Sequence, residues 1–401
     1  MTAQCNEIEL LLTKQLPVFR DYPFLTQAWH NDAADRADVA FIFATVTKLP
    51  DQLKRVVLNA AFKIENRKER NLYILQATNK VISLLPEPLK QVMAANDDVI
   101  NEVAINCADR CRRLALHHNF KGHHSYELNA QDIYAILTEY AQSYQIPPIN
   151  LSRSGATLIG AIKRMLDKNW WNRKLRRIVN QAYEKAAIGL NIVSKRKQIY
   201  VSDLMVEKRT QQKLRNEQML SSMVVINDIG QQYTLKEISD LNVSNPAIRK
   251  AELMVRMRGC EELSKEYGHQ GIFITITCPS KYHAAFAKSG QPNPKYEGFT
   301  PNESNQYLCS VWSRIRAEWN RQGIKPYGFR VAEPQHDGTP HWHILLFAEK
   351  HDVYEIRRVV SHYALQEDGN EKGARENRCD FMLIDAYSGP TGSPIPGHWD
   401  H

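Results

Sequence analysis

The chain has 401 residues, 43% of them hydrophobic and 24% charged, which is ordinary for a globular protein with room for two or three domains of roughly 100–200 residues each. No apolar run approaches the roughly 18–20 residues that cross a bilayer. The N-terminal MTAQCNEIELLLTKQLP has neither a basic segment nor a small-residue cleavage site, so neither a membrane protein nor a secreted one is expected. The net charge of +8 is regional. Residues 163–215 carry 15 Lys and Arg against 4 Asp and Glu, which leaves the rest of the chain slightly acidic. Such a block suits a polyanionic partner, with a solvated helical face as the plain alternative. The seven cysteines, Cys5, Cys107, Cys111, Cys260, Cys278, Cys309 and Cys379, are odd in number and scattered. They form no disulfide framework and point to a reducing, cytoplasmic compartment.

In chain order, the first 260 residues read mostly as helix. Apolar residues three and four apart predict helices over 53–62, 88–93, 99–116 and 130–144. Pro86, Pro88, Pro147 and Pro148 punctuate them, and 147–150 with 152–155 reads as a linker. A second helical block covers 161–188, a basic segment runs to Leu220, and 221–229 holds a short strand. The texture changes near Gly268. GIFITIT at 271–277 is a β-branched and aromatic strand. The proline-rich stretch after it is a loop, and 302–322 is a helix with Tyr307, Val311, Ile315 and Trp319 one turn apart. Strands at 327–333 and 341–347 flank a turn at Asp337-Gly338, a strong hairpin signal. A helix over 352–365, with Asp352 as N-cap, and a strand over 378–385 complete the order β-α-β-β-α-β. The predicted fold is therefore α+β: a mostly helical N-terminal region, then a ferredoxin-like split βαβ domain with an antiparallel sheet. The expected divisions are 1–150, a basic helical region over 151–260, and the sheet domain over 261–401.

Chemistry concentrates in the hairpin. His341 and His343 are two apart on one strand, so both imidazoles leave the same face, and Glu333 on the partner strand returns beside them. Two imidazoles and a carboxylate suit a divalent cation such as Mn²⁺, Mg²⁺ or Zn²⁺, which can polarise a phosphoryl oxygen. His336, in the turn, ranks below Glu333 as third ligand because a turn residue is harder to pre-organise. Cys107 and Cys111, near His117, His118, His123 and His124, read as core cysteines beside a histidine-rich loop rather than as a zinc site.

Glu333 with His341-Trp342-His343 resembles the HUH endonucleases, in which two histidines flank a bulky hydrophobic residue. More narrowly, the chain looks like the replication gene A endonucleases, the rolling-circle initiators of temperate tailed phages. Thr275-Ile276-Thr277-Cys278-Pro279-Ser280-Lys281-Tyr282-His283-Ala284 and Asp337-Gly338-Thr339-Pro340-His341-Trp342-His343 carry the resemblance. Residues 170–179 and 200–203 fit more loosely. The resemblance implies a site-specific nick in single-stranded or supercoiled origin DNA, made in the cytoplasm of a bacterial host. Glu333, His341 and His343 would hold Mg²⁺ or Mn²⁺. A tyrosine would attack the scissile phosphate to form a 5′-phosphotyrosyl link and free a 3′-OH, with a host helicase as a candidate partner. Beside such a domain, Arg173, Lys174, Arg176, Arg177, Lys195, Arg196, Lys197 and Lys281 become candidate phosphate contacts, with Trp170, Trp171, Tyr183 and Tyr200 interleaved for base stacking, although Trp170-Trp171 fits a core equally well.

The resemblance places the nucleophile in a Tyr-x-x-x-Tyr motif, followed by lysine, on a helix after the fourth strand. This chain ends at His401, and its last 16 residues hold three prolines and three glycines, a composition that does not form a helix. The expectation is a chain cut short before the tyrosine pair, with no catalytic tyrosine assigned. Tyr140 and Tyr144 read as an aromatic pair on a helix face, Tyr363 as a residue on the helix side of the sheet, and Tyr387 as part of the tail. Two alternatives stay open: an origin-DNA-binding remnant that does not cut, and a metal-dependent phosphodiesterase that uses activated water.

Overall fold

The computed structural model describes residues 22–93, 97–120, 130–151 and 157–384, and the chain divides into two compact units, Met1–Leu190 and Asn191–His401. The division falls inside the basic region that the sequence sets apart at 151–260. Among the described residues, no helix is long and apolar enough to cross a membrane.

The first unit is helical: α1 (Pro23–Trp29), α2 (Ala33–Val46), α3 (Asp51–Ala61), α4 (Arg67–Ile82), α5 (Asp97–Phe120), α6 (Ala130–Ser143), α7 (Leu158–Met165) and α8 (Lys168–Gly189). Side-chain caps fix several starts. Asn66 accepts from the N–H groups of Lys68 and Glu69, Thr157 from Gly160, and Asp167 from Asn169. The helix expected over 88–93 is instead a 3₁₀ turn, Glu87–Val92, because six residues opened by a proline are too few to nucleate α-helix. On α8, Trp171, Leu175 and Val179 recur every fourth residue and turn inward, so the same periodicity leaves Arg173 and Arg177 exposed.

The second unit opens with α9 (Asp203–Ser222), a two-stranded hairpin of β1 (Val224–Ile226) and β2 (Gln232–Thr234), α10 (Leu235–Asp240) and α11 (Pro246–Tyr267). The strand expected over 221–229 is β1; its partner β2 was not foreseen. Then come β3 (Gln270–Ile276), α12 (Pro301–Arg321), β4 (Tyr327–Pro334), β5 (Pro340–Ala348), α13 (Val353–Ala364), α14 (Ala374–Asn377) and β6 (Cys379–Ile384). The sheet order is β4-β5-β3-β6 and every pairing is antiparallel, which is the split βαβ plan. The expected α+β class is the observed one.

Alternation builds the core of this sheet. Ile272, Ile274 and Ile276 of β3 and Trp342, Ile344 and Leu346 of β5 point to one face, where α12 brings Leu308, Val311, Ile315 and Trp319 and α13 brings Ile356, Val359 and Val360. A capping box starts α12: Thr300 accepts from the Glu303 N–H and Glu303 accepts from the Thr300 N–H. Asp352 does precede α13, but its carboxylate makes no cap bond, because the 3₁₀ turn Lys350–Asp352 gives it helical φ and ψ. The other end of α13 is closed by Arg378, whose buried guanidinium donates to the carbonyls of Ala364 (3.1 Å) and Glu367 (2.7 Å).

The hairpin turn depends on Gly338 and Asp337. Gly338 has φ +81°, and a Cβ there would meet the Tyr200 carbonyl oxygen at 2.9 Å. Asp337, 1% exposed, accepts from the N–H groups of Thr339 (3.0 Å) and Ala284 (3.0 Å) and contacts His283 Nδ1 at 3.2 Å. Burial pushes its carboxyl up, but the bonds from His283 and Thr339 outweigh this and hold it below the usual carboxylate range. Asp337→Ala strands two backbone donors and is expected to cost about 2–4 kcal/mol in denaturant unfolding of the second unit. A carboxyl lowered by folding stabilises above its unfolded pKa near ~4 and loses that contribution as pH falls through its folded value. Asp337→Asn should therefore flatten the acid limb of the stability curve; an unchanged limb would remove Asp337 from this role.

Candidate functional site

Glu333 of β4 lies directly opposite His341 of β5, and His343 follows two residues on, opposite Thr275 of β3. Because Trp342 points into the core, both histidines leave the face turned away from α12 and α13. Their Nε2 atoms are 2.7 Å apart, and Glu333 Oε2 stands 3.1 Å from His343 Nε2 and 3.8 Å from His341 Nε2. One donor atom from each residue falls within 4.8 Å of the others, the one such His/Cys/Asp/Glu cluster among the described residues.

The surroundings orient these donors. Thr275 Oγ1 lies 3.1 Å from His343 Nδ1, and the Phe273 ring stacks on the His343 imidazole at 5.5 Å between centroids. With Nδ1 protonated toward Thr275, Nε2 of His343 presents its lone pair to the cluster. His341 Nδ1 is buried without a hydrogen-bond partner. Burial lowers the His341 pKa to about 4, with help from the neighbouring His343 and His283. A neutral imidazole against a second imidazole and a carboxylate is a donor set for a cation. His336 stands apart and donates from Nε2 to the Ala285 carbonyl at 3.1 Å.

The other sequence-predicted residues are dispersed. Arg173 and Arg177 on α8 are exposed, Lys174 lies over the Trp170 ring at 5.6 Å, and Arg176 pairs with Asp97 at 3.3 Å. Lys195, Arg196 and Lys197 are exposed in the second unit. Lys281 forms ion pairs with Glu367 (2.7 Å) and Asp368 (3.2 Å), so its charge is neutralised within the protein. Of the aromatics expected to stack bases, Trp170, Trp171 and Tyr183 are core: the Trp171 indole donates to the Met165 carbonyl at 2.8 Å and the Tyr183 hydroxyl to Gln52 Oε1 at 2.8 Å. Tyr200 alone of the four is exposed.

Cys107 and Cys111 are buried in the first unit, where Tyr144 packs edge-on against Tyr140 and Trp171, and Tyr140 lies tilted against Trp171. Burial pushes both phenols up, Tyr144 to about 12, a setting hostile to a phenolate nucleophile. Tyr363 packs against the core beneath the sheet. The side chains of the nearby histidines, Tyr387 and the tail lie outside the described residues. Sequence reasoning missed Thr275 and the His283–Asp337 pair. For Thr275 the signal was present, since Phe273 and Thr275 alternate with the inward isoleucines and so share the histidine face.

Comparison with known proteins first gives the class. Among its relatives are "Replication gene A protein" of Escherichia phage 186, 42% identical over 232 residues, and "Replication protein" of Haemophilus phage HP1, 37% identical over 228. A third is "Probable replication endonuclease from prophage-like region" of Salmonella paratyphi A, 35% identical over 236. These alignments cover 57%, 56% and 59% of this chain but only 33%, 29% and 29% of the relatives, so the chain spans about a third of the length of the curated relatives it matches. The profile of the bacteriophage replication gene A protein family matches residues 90–393, and the chain belongs to that family. No solved structure matches it.

Thiol chemistry checks the placement of the cysteines. Burial pushes the Cys111 thiol up to about 12 and raises those of Cys107 and Cys278, while Cys309 is exposed. A disulfide reagent at pH 8 should modify Cys309 in the folded protein and reach Cys107, Cys111 and Cys278 only in denaturant. Rapid labelling of Cys107 or Cys111 without denaturant would contradict their core placement.

Proposed function

We propose that this chain provides the metal site of a site-specific single-strand DNA endonuclease that initiates rolling-circle replication of a phage genome. The observation that carries this reading is the convergence of Glu333, His341 and His343 on one sheet face, in a chain of the replication gene A family. These three residues would hold Mg²⁺ or Mn²⁺. The facing Nε2 atoms of His341 and His343, 2.7 Å apart, and the neutral imidazole of His341 fit that role, since only an unprotonated Nε2 can donate to a cation. When bound, the ion supplies charge stabilisation at the scissile phosphate.

The chain's own residues do the remaining work at this site. Thr275 fixes the tautomer of His343, and Phe273 covers one side of its ring. Glu333 Oε2, 3.1 Å from His343 Nε2, adds the one anionic donor to the two imidazoles. A tyrosine attacking the phosphate would leave a 5′-phosphotyrosyl link and a 3′-OH; none of the described tyrosines is assigned that role. The exposed Arg173, Arg177, Lys195, Arg196 and Lys197 are the candidates for phosphate contacts, and unwinding of the nicked duplex in the bacterial cytoplasm would fall to a host helicase.

Nicking of supercoiled plasmid carrying the cognate origin, with Mg²⁺ or Mn²⁺, tests the reading. His341→Ala and His343→Ala should each abolish ion-dependent nicking and leave salt-dependent DNA binding intact. Nicking without a covalent protein–DNA adduct would instead indicate water as nucleophile. Binding with no nicking in any ion would make the chain an origin-binding protein that does not cut.

A subtler variant tests how the donors are oriented. Thr275→Val keeps the shape and removes the hydroxyl that faces His343 Nδ1, so Mn²⁺ affinity measured by calorimetry should fall about tenfold, within the range of ~10–100-fold for such supporting groups. Unchanged affinity would mean that the Thr275 hydroxyl does not set the His343 tautomer.

A further inference from the structure

The helix side of the sheet carries a second feature that the metal site does not use. A groove of about 720 Å³ runs along α12, lined by its Trp312, Arg316 and Trp319, by Ile324 and Lys325 of the following loop, and by Leu346 of β5 among others. That volume falls within the ~300–1,000 Å³ typical of small-molecule sites. Trp312 is half-buried and meets Trp319 edge-on at 5.4 Å. The Arg330 guanidinium of β4 sits 3.8 Å from the centroid of the Trp342 ring and 5.7 Å from that of Trp312.

Two independent observations indicate what fills the groove. The first is an unmet donor. Trp319 is 3% exposed and its indole N–H has no partner, whereas the Trp342 indole donates to Asn305 Oδ1 at 3.0 Å. Trp319 lines the groove, so this unmet donor belongs to its wall, beneath the accessible surface. The second is charge. No Asp or Glu lines the groove, and Arg316, Lys325 and Arg330 form no ion pair among the described residues, whereas Lys281, Arg321, Arg358 and Arg378 of the same unit do. Donors and an aromatic wall with no acidic neighbour suit a ligand that is flat, rich in acceptors and anionic.

We propose that this groove is a nucleotide subsite for single-stranded DNA, on the sheet face opposite His341 and His343. A base packs against Trp312, and flanking phosphates lie against Arg316, Lys325 and Arg330. The proposal rests on DNA being the substrate.

The test uses the full chain in EDTA, so that the metal site contributes nothing, with a fluorescent oligothymidylate as the probe. Arg316→Glu with Lys325→Glu alters exposed rim positions without touching the core, and should weaken binding at least tenfold and flatten its salt dependence. Trp312→Leu should weaken binding about tenfold. An oligonucleotide carrying 5-iododeoxyuridine should crosslink on irradiation to the peptide that contains Trp312. Should Trp312→Leu misfold, the rim variant and the crosslink still decide. If the wild type binds and the rim variant binds equally, or all adducts map elsewhere, the groove is not a DNA subsite and the endonuclease reading stands. If the wild type binds no single-stranded DNA, the subsite proposal falls, while the endonuclease reading is decided separately by nicking of the cognate origin. Specific capture of a peptide strand along β4 in place of DNA would also overturn the proposal.

Discussion

The site depends on the two-residue repeat of β5. This strand is hydrogen-bonded on both sides, to β4 and to β3, and its residues divide cleanly by parity. Trp342, Ile344 and Leu346 are buried against α12 and α13, while His341 and His343 face the other way. A one-residue slip would exchange the two sets. Burying one such apolar side chain is worth roughly 1.5–3 kcal/mol, so the three inward residues of β5 together hold the register far more firmly than any contact among the imidazoles does. The geometry of the donors is thus imposed by a hydrophobic core in which they take no part.

That arrangement lets the protein hold a cluster that would be unfavourable elsewhere. Two imidazoles in contact, one of them with a partnerless buried nitrogen and a lowered pKa, contribute little to folding. They persist because the sheet beneath them is secured by α12, by its capping box, and by the Asp337 turn that ties the hairpin to the loop after β3. Local inconsistency concentrated on a well-packed scaffold is the usual mark of a functional site.

The same reasoning explains what could be read from the sequence. The strands, their order and the three donors were legible because each depends on short-range patterns: alternation in 271–277 and 341–347, and Asp337-Gly338 at the turn. What escaped the sequence depends on partners far apart in the chain. Lys281 looked like a free cation until Glu367 and Asp368, more than eighty residues on, came beside it. Arg378 looked like the first residue of a strand, but it is the cap of α13. Trp170-Trp171 fitted a stacking platform as well as a core, and only the placement of Met165, Tyr140 and Tyr144 around Trp171 decides for the core.

Charge shows this limit most clearly. Counting Lys and Arg along the chain singles out 163–215, yet within that block Arg176 is paired with Asp97 and Lys174 lies on an indole. Residues 312–330 carry five Lys and Arg against Glu318 alone, an excess as dense as that of the block, but a count does not show that Glu318 is taken up by Arg321. In the folded unit those two neutralise each other, which leaves Arg316, Lys325 and Arg330 without a carboxylate beside a tryptophan-lined groove. An anion responds to the local field, and pairing within the fold sets that field more than composition does. The basic block and the tryptophan groove are therefore separate questions about DNA, and the groove became visible only once the ion pairs of the folded chain were known.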